Sequence, residues 1–405
     1  MPMRVLLLNQ YFYPDEAATS QLASDLAEDL AASGARVTAI ASAGSYVGRK
    51  TPRLPLRDRW GSVEIYRVPA TSLGRSNILR RLADYSTFAL GALGRLLQAG
   101  RHDVVIVLTT PPLVAALGAL VREMRGERLI CWVQDVYPEL GVEFGVFPRE
   151  GAVTNALRFA ARTIYQRADA IVALGETMAG RLVQAGAPRD RVHVIHNWAD
   201  GAAIVPVPRS RNTFAQGLGL NDAFVVGYSG NFGRGHDLDT ILGAARLLRG
   251  NERIRWLFIG DGPRRDEVAQ AIARDRLRAE LLPYQPRHRL HETLSAPDLH
   301  LVSMRPGLEG LMVPSKLYGC LAAGRAVIYV GPSKTEVAQI LTEERCGLLT
   351  PPGDSEALAH AVEECASRPA GIQAMGRRAR EAFERRFERR IATGAWIRLV
   401  RDLAV

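Results

Sequence analysis

The feature that most restricts what this chain can fold into is a rhythm, run through twice, of short β-branched stretches alternating with helical segments. In the first half the apolar stretches fall at 4–9, 36–41, 63–68, 104–108, 129–133, 170–174 and 192–195. Stretches that are apolar on every residue suit strands buried on both faces, and the helices between them supply the crossovers that a parallel sheet needs. The clearest of these helices is predicted over 20–32, where Leu22, Leu26 and Leu30 share a face, Thr19 and Ser20 can cap the start, and Gly34 follows the end. Around Asn197 the rhythm stops. Residues 202–208 hold two prolines and 209–221 are polar, which reads as an interdomain linker. Strands are then predicted again at 223–228, 255–259, 299–303 and 326–330, with helices at 239–248 and 267–276, and a helix running through 376–405. The expected class is α/β, with two Rossmann-like domains and a cleft between them. The expected division is 1–200 as an N-terminal domain, 201–385 as a C-terminal domain, and 386–405 as a helix returning to the first.

Composition narrows the partners. With 405 residues and 47% hydrophobic content, each half can bury its own core. A formal charge of +10 and a pI near 9.8 point to an anionic partner: nucleic acid, anionic lipid or a diphosphate. Arginines cluster at 53–59, 75–81 and 377–390, without a zinc finger, homeodomain or interleaved aromatic-basic pattern, so nucleic acid is not expected. The four cysteines, Cys131, Cys320, Cys346 and Cys365, form no CxxC pair and read as buried thiols in a reducing compartment. The start lacks the order of a secretory signal, and the longest uncharged apolar run, 111–121, falls short of the roughly 20 residues that cross a bilayer. A cytoplasmic protein is expected. Over 76–98, Ile78, Leu79, Leu82, Tyr85, Phe88, Leu93 and Leu97 interleave with Arg80, Arg81 and Arg95, a pattern that fits either a helix packed on the sheet or one lying on anionic lipid at the inner face of the cell membrane.

The most informative segment runs Glu309-Gly310-Leu311-Met312-Val313-Pro314-Ser315-Lys316-Leu317-Tyr318-Gly319-Cys320-Leu321-Ala322-Ala323-Gly324-Arg325. Pro314 suits the first turn of a helix and Gly324 the residue past its end. Lys316 then stands in that first turn, where unpaired N–H groups and a partial positive charge favour phosphate, although a solvated lysine fits the same place. Glu309 precedes the helix on a loop after strand 299–303, the edge where doubly wound sheets bind ligands.

This segment resembles the donor-binding motif of family-4 glycosyltransferases of the GT-B fold, in which an acidic loop residue is followed by a helix ending Ala-Ala-Gly and a strand. Its Pro-Ser-Lys-Leu-Tyr form is similar to the branch that builds bacterial surface polysaccharides. The resemblance implies a retaining, hexosyltransferase-type enzyme that moves a sugar from a nucleoside diphosphate sugar, a UDP-sugar favoured, to a hydroxyl of a glycan or polyprenyl-linked glycan. It implies 1–200 as the acceptor-side domain and 201–385 as the nucleotide-sugar-binding domain, Glu309 as a catalytic residue that orients donor sugar hydroxyls, and Leu311, Ser315, Lys316 and Tyr318 as donor contacts. The family's helix also carries a glutamate for the nucleotide ribose, and here that place holds Gly319.

Three further stretches extend the resemblance. In Gly227-Tyr228-Ser229-Gly230-Asn231-Phe232-Gly233-Arg234-Gly235-His236 the glycines allow close approach to a diphosphate. The family usually places an arginine and a lysine there; Asn231 stands at the arginine position, leaving Arg234 the loop's cation, with Gly230 and Asn231 as further contacts. Gly260-Asp261-Gly262-Pro263 resembles the family's cleft-lining turn, which implies Gly260 and Asp261 at the donor, and Tyr284 and Gln285 would read the base. In Trp132-Val133-Gln134-Asp135-Val136-Tyr137-Pro138-Glu139 an acid closes a strand, a place that favours a site over the core. Asp135 is the expected catalytic or acceptor-orienting residue, Glu139 its local rival, with Tyr137, Tyr11 and Thr19 on the acceptor side or its loop. His196-Asn197 looks like the family's hinge. No metal pattern exists among the eight histidines, so neither a metal nor another cofactor is expected. Two other readings remain at this point: a nucleotide-sugar epimerase of the same fold, and a non-catalytic nucleotide-sugar-binding protein.

Overall fold

The computed structural model describes residues 2–15, 17–44, 54–71 and 78–404. Arg53 and residues 75–77, part of the expected basic clusters, lie outside the described residues. By packing, the chain forms two units, Met1–His196 with Gly310–Met312 and Ala392–Val405, and Asn197–Glu309 with Val313–Ile391.

The first unit is built on eight strands: β1 Arg4–Leu8, β2 Arg36–Ser42, β3 Arg57–Trp60, β4 Val63–Val68, β5 Val104–Leu108, β6 Arg128–Trp132, β7 Ala170–Ala173 and β8 Val192–Val194. Their order is β3-β4-β2-β1-β5-β6-β7-β8, parallel except for β3 against β4. The sequence reading missed β3. Its Arg-Asp-Arg-Trp sequence has no apolar face, as befits an edge that must not template further pairing. Chain order reverses between β1 and β5, and a doubly wound sheet opens its ligand crevice at the carboxyl ends of the strands flanking such a point. Register brings those ends level: Leu8 lies beside Val107, and Val107 beside Cys131.

The second unit repeats the plan with β9 Phe224–Ser229, β10 Ile254–Ile259, β11 Ala279–Leu282, β12 Leu299–Ser303, β13 Ala326–Val330 and β14 Gly347–Thr350, ordered β11-β10-β9-β12-β13-β14 and all parallel. Here the switch lies between β9 and β12. Strands β11 and β14 are short and only partly apolar, which hid them from periodicity. Residues 209–221, read as a linker, are built into this unit: Phe214, Ala215 and Leu220 join a small core, and Asn212 both caps the helix Thr213–Gly217 and donates to the Glu292 carbonyl. The order β-α-β-α with short connections and apolar central strands places the chain in the expected α/β class.

Two local expectations fail. The helix expected over 20–32 starts earlier, as Ala18–Ala32, so Thr19 lies inside it and no side chain caps it. The segment 376–405 is not one helix. Helix Pro369–Ala382 passes into a wide turn, Phe383–Phe387, and Glu388 is extended before helix Arg389–Ala404 begins. The cause is burial: Phe383 and Phe387 are both driven into the core, Phe387 against Tyr318, at the cost of helical continuity. The last helix anchors in the first unit through Trp396, fully buried with its ring 4.7 Å from that of Trp132 on β6. No helix among the described residues is long and apolar enough to cross a membrane. Removing the Trp396 ring leaves a cavity beside the central sheet, so Trp396→Ala is expected to cost about 3–5 kcal/mol in a denaturant melt.

Candidate functional site

In the second unit the carboxyl edge carries two glycine loops stacked backbone on backbone. The amide of Gly230 donates to Ile259 O at 2.8 Å and that of Phe232 to Asp261 O at 2.8 Å. Gly230 and Gly260 have φ of +133° and +145°, and a Cβ at Gly260 would collide with the Gly230 backbone. Gly260 is therefore required by contact between loops, and Asp261 serves the turn, accepting from Gly262 N at 2.8 Å. A Cβ at Gly230 would lie 3.2 Å from Lys316 Cε, so the lysine stem lies along the bare backbone.

Helix Lys316–Ala322 begins two residues after Pro314, shorter than its punctuation suggested. Lys316 is half-buried. Its ammonium donates to the hydroxyl of Tyr228 and stands 3.8 Å from that ring's centre, and the hydroxyl in turn donates to Asn231 O at 3.1 Å. No carboxylate pairs with Lys316 among the described residues. Burial without a counter-ion pushes its pKa down to about 7. The chain uses only three lysines, Lys50, Lys316 and Lys334, among 52 cationic residues. At this site it places the cation whose charge can respond to its surroundings, where arginine would stay charged.

His236 closes the same loop. Its Nδ1 faces Ser303 O at 2.7 Å, so that nitrogen carries the proton, and burial together with the charge of Lys316 holds the ring neutral, with a pKa near 3. Arg234 is exposed, and Arg305, two residues past the end of β12, rests against the loop: its amide donates to Gly235 O at 2.9 Å and its Nη1 to Arg234 O at 3.5 Å. Arg305 was missed, although a cation just past a buried strand is a readable signal. Arg264 is taken up by Asp239 and Glu267.

The other expected donor residues are spread. Ser315 and Glu309 are half-buried near the helix start, and Gln285 folds back on Pro283 O beside the exposed Tyr284. Tyr318 is fully buried, with no partner for its hydroxyl among the described residues. Gly319 packs under Leu294, whose Cδ1 would lie 3.2 Å from a Cβ, so a larger side chain there would have to displace that leucine. Leu311 is buried in the first unit, and its carbonyl accepts from Val136 N at 2.8 Å.

In the first unit, β1, β5 and β6 deliver Asn9-Gln10, Thr109 and Asp135 to the carboxyl edge. Thr109 Oγ1 accepts from the amides of both Gln134 and Asp135, at 3.1 and 3.2 Å, and Asp135 forms a bridge with Met312. The carboxylate of Asp135 has no hydrogen-bond partner among the described residues, and burial raises its pKa to about 6. Its rival Glu139 pairs with Arg158 at 2.9 Å. The side-chain amide oxygens of Asn9 (Oδ1) and Gln10 (Oε1) are buried without a donor among the described residues, two acceptors that the strand pattern does not reveal. Tyr11 and Tyr137 flank these ends, both partly exposed; Thr19 is the second residue of the first helix.

Comparison with known proteins settles the class. Residues 19–198 match the Glycosyl transferase 4-like domain and 223–368 match Glycosyl transferases group 1. The probable glycosyltransferase WbjE of Pseudomonas aeruginosa is 32% identical over 305 residues, 74% of this chain and 75% of its own. The chain belongs to the family-4 glycosyltransferases of the GT-B fold. Another member, the putative colanic acid biosynthesis glycosyl transferase WcaI of Escherichia coli K12, is 24% identical over 84% of this chain and 86% of its own. Among solved structures, sucrose-phosphate synthase of Thermosynechococcus elongatus superposes with a TM-score of 0.80 at 18% identity over 99% of both chains. HepE of Anabaena, in complex with UDP-glucose, gives 0.72 at 16% identity over 99% of each. The enzyme is thus a glycosyltransferase, which sets aside the epimerase and the non-catalytic binding protein.

The unpaired Asp135 has a stability signature. Its folded pKa lies above the ordinary value of 3.8, so the folded state binds the extra proton between about pH 4 and 6 and loses stability as pH rises through that window. Asp135→Asn removes that cost. The variant is expected to be more stable than the parent at pH 7.5, on the order of 1 kcal/mol, with the gain gone at pH 4, as read from thermal melts across pH.

Proposed function

We propose that this glycosyltransferase moves a sugar, with retention of anomeric configuration, from a nucleoside diphosphate sugar to a hydroxyl of a glycan or polyprenyl-linked glycan in surface polysaccharide synthesis. The observation that carries the donor half is Lys316, a buried-stem lysine with no carboxylate partner among the described residues, set over the bare backbone of Gly230 at the switch point of the second sheet. A diphosphate is the counter-ion such a site lacks. The second unit serves as the donor-binding domain and the first as the acceptor domain. UDP is favoured as the nucleotide because HepE, which shares the fold, is seen with UDP and UDP-glucose. The surface-polysaccharide assignment draws on WcaI and on the Pro-Ser-Lys-Leu-Tyr form of the helix start.

In this reading the bond between the anomeric carbon and the diphosphate oxygen breaks, the acceptor oxygen takes its place at that carbon, and the nucleoside diphosphate leaves with the charge. Lys316 and Arg234 stabilise that charge, held in place before it develops. Glu309 orients hydroxyls of the donor sugar, Tyr284 and Gln285 lie towards the base, and Asp135, ionised above about pH 6, accepts from the incoming hydroxyl. No metal or other cofactor is required by these steps. An acceptor on a polyprenyl carrier would put the work at the inner face of the cell membrane.

Lys316→Ala is expected to lower kcat/KM for the nucleotide sugar roughly a hundredfold, and Arg234→Ala roughly tenfold. Donor affinity and turnover left intact in both would refute the site. NMR of the product should show the donor's anomeric configuration, and the opposite anomer would refute retention.

A further inference from the structure

At the amino edge of the first sheet, the end away from Asp135, strands begin on cations. Arg4 opens β1, Arg36 opens β2 and Arg128 opens β6, with Arg101 three residues ahead of β5. Arg128 is paired with Asp169 at 3.3 Å. Arg4 and Arg36 are placed differently. They stand in direct register on neighbouring parallel strands, so both side chains leave the same face side by side. Like charges set across a ladder in this way cost stability unless an anion lies between them.

The face they share is polar where a covered sheet is ordinarily apolar. Helix Ile78–Gln98 crosses over from β4 to β5 and packs on β2 and β4. Yet beneath its last turns β2 presents Thr38 and Ile40, and β4 sets Glu64 and Tyr66 beside them. Between helix and strands lies a cavity of about 300 Å³, the lower end of the range for small-molecule sites. Arg95 and Gln98 line it from the helix, and Arg4, Arg36 and Arg101 from the strand starts.

Four arginines thus meet one glutamate, four minus one, a net of +3. Glu64 does little to offset them: its pair with Arg36 is a surface contact of 3.5 Å, and the Tyr66 hydroxyl donates to it as well. The other acids of this edge are taken up by main chain. Asp103 Oδ2 accepts from Arg4 N and Glu127 Oε1 from His102 N, both at 2.7 Å. Arg4 and Arg101 have no carboxylate partner among the described residues. The negative end of helix Ile78–Gln98 would oppose an anion here, but Arg125 donates to the carbonyls of Leu96, Leu97 and Ala99, at 3.0, 2.7 and 3.1 Å, and takes that end up. Scattered surface arginines are ordinary. Two in register, at the mouth of a polar cavity roofed by a helix, are not.

We propose that this cavity is a second anion site, for a small molecule that carries a diphosphate, with Arg4, Arg36 and Arg101 on the phosphate oxygens and Tyr66 and Gln98 beside the rest of the molecule. Guanidinium forks match phosphate oxygens, and a diphosphate supplies the charge that Glu64 does not. The site lies at the opposite strand ends from Asp135, so its ligand is not the reacting sugar donor. Occupancy relieves the repulsion between Arg4 and Arg36 and so stabilises the first unit.

Inorganic pyrophosphate is the probe, with Lys316→Met removing the donor site from the measurement. Titration calorimetry of the full-length Lys316→Met chain at about 0.15 M salt is expected to show saturable pyrophosphate binding, with a thermal melt that rises with occupancy. Adding Arg4→Gln and Arg101→Gln should weaken that binding roughly tenfold or more and abolish the rise. The same two changes in the parent background should leave affinity for UDP-glucose unchanged. Arg36→Gln is a second test that keeps the fold in view: without pyrophosphate it should melt no lower than the parent, and it should bind pyrophosphate more weakly. No pyrophosphate binding by Lys316→Met, or binding unaltered by the changes at Arg4 and Arg101 or at Arg36, overturns the proposal. Equal displacement by sulfate at the same concentration also overturns it, since a merely basic surface would behave so. Loss of UDP-glucose affinity on changing Arg4 and Arg101 overturns the separateness of the two sites. The donor reading fails on its own terms, through UDP-glucose affinity that survives Lys316→Met, and leaves the pyrophosphate result standing.

Discussion

Lys316 ends against a phenol where a carboxylate would be the ordinary partner, and much of the second unit is arranged to keep it there. The stem needs Gly230 without a side chain, Gly230 needs Gly260 without one, and the two loops need β9 and β10 level at their carboxyl ends. Tyr228 supplies an acceptor that cannot neutralise the charge, and its own hydroxyl is spent on the Asn231 carbonyl. His236, held neutral, adds no rival cation. Burial then works against the ammonium with nothing to offset it. A cation left in this condition is poised for an anion, which is the physical content of the donor-site proposal.

The first unit holds the complementary case. Asp135 is fixed through its backbone by Thr109 and through its bridge to Met312, while its carboxylate is left without a donor among the described residues. The chain could relieve the cost by pairing it, as it does with Glu139 and Arg158 a few residues on. Leaving one acid satisfied and its neighbour unsatisfied is the pattern expected where stability has been given up for a site.

The central strands were legible because β1, β5, β6, β12 and β13 are apolar on nearly every residue, and nothing else suits such runs. Edge elements were not: β3 is charged, and β11 and β14 are short, so their existence depends on neighbours that lie far away in the chain. The break at Glu388 was hidden for the same reason, since Phe383 and Phe387 fit a helical stripe and only their burial against Tyr318 shows that they interrupt it. At the site, Lys316, Gly230 and Asp135 could be found from punctuation and strand ends. Thr109, Asn9 and Gln10 became visible only once register had brought strand ends together, whereas Arg305 could have been found from its place just past a buried strand. Tyr318 and Leu311, named beside Lys316 from the motif, have side chains that pack inside, a consequence of helix phase and loop path that the linear motif does not encode.

The central claim is that Lys316 takes the donor's diphosphate as its missing counter-ion. Free, with a pKa near 7, the amine is largely neutral at pH 8; beside a diphosphate it is ammonium. Titration calorimetry of UDP-glucose at pH 8, in buffers of different ionisation enthalpy, measures the difference directly. The account predicts uptake of about one proton by the parent chain, fading below pH 6, and none by Lys316→Met. Binding with no proton uptake at pH 8, or with the same uptake in the variant, would contradict it.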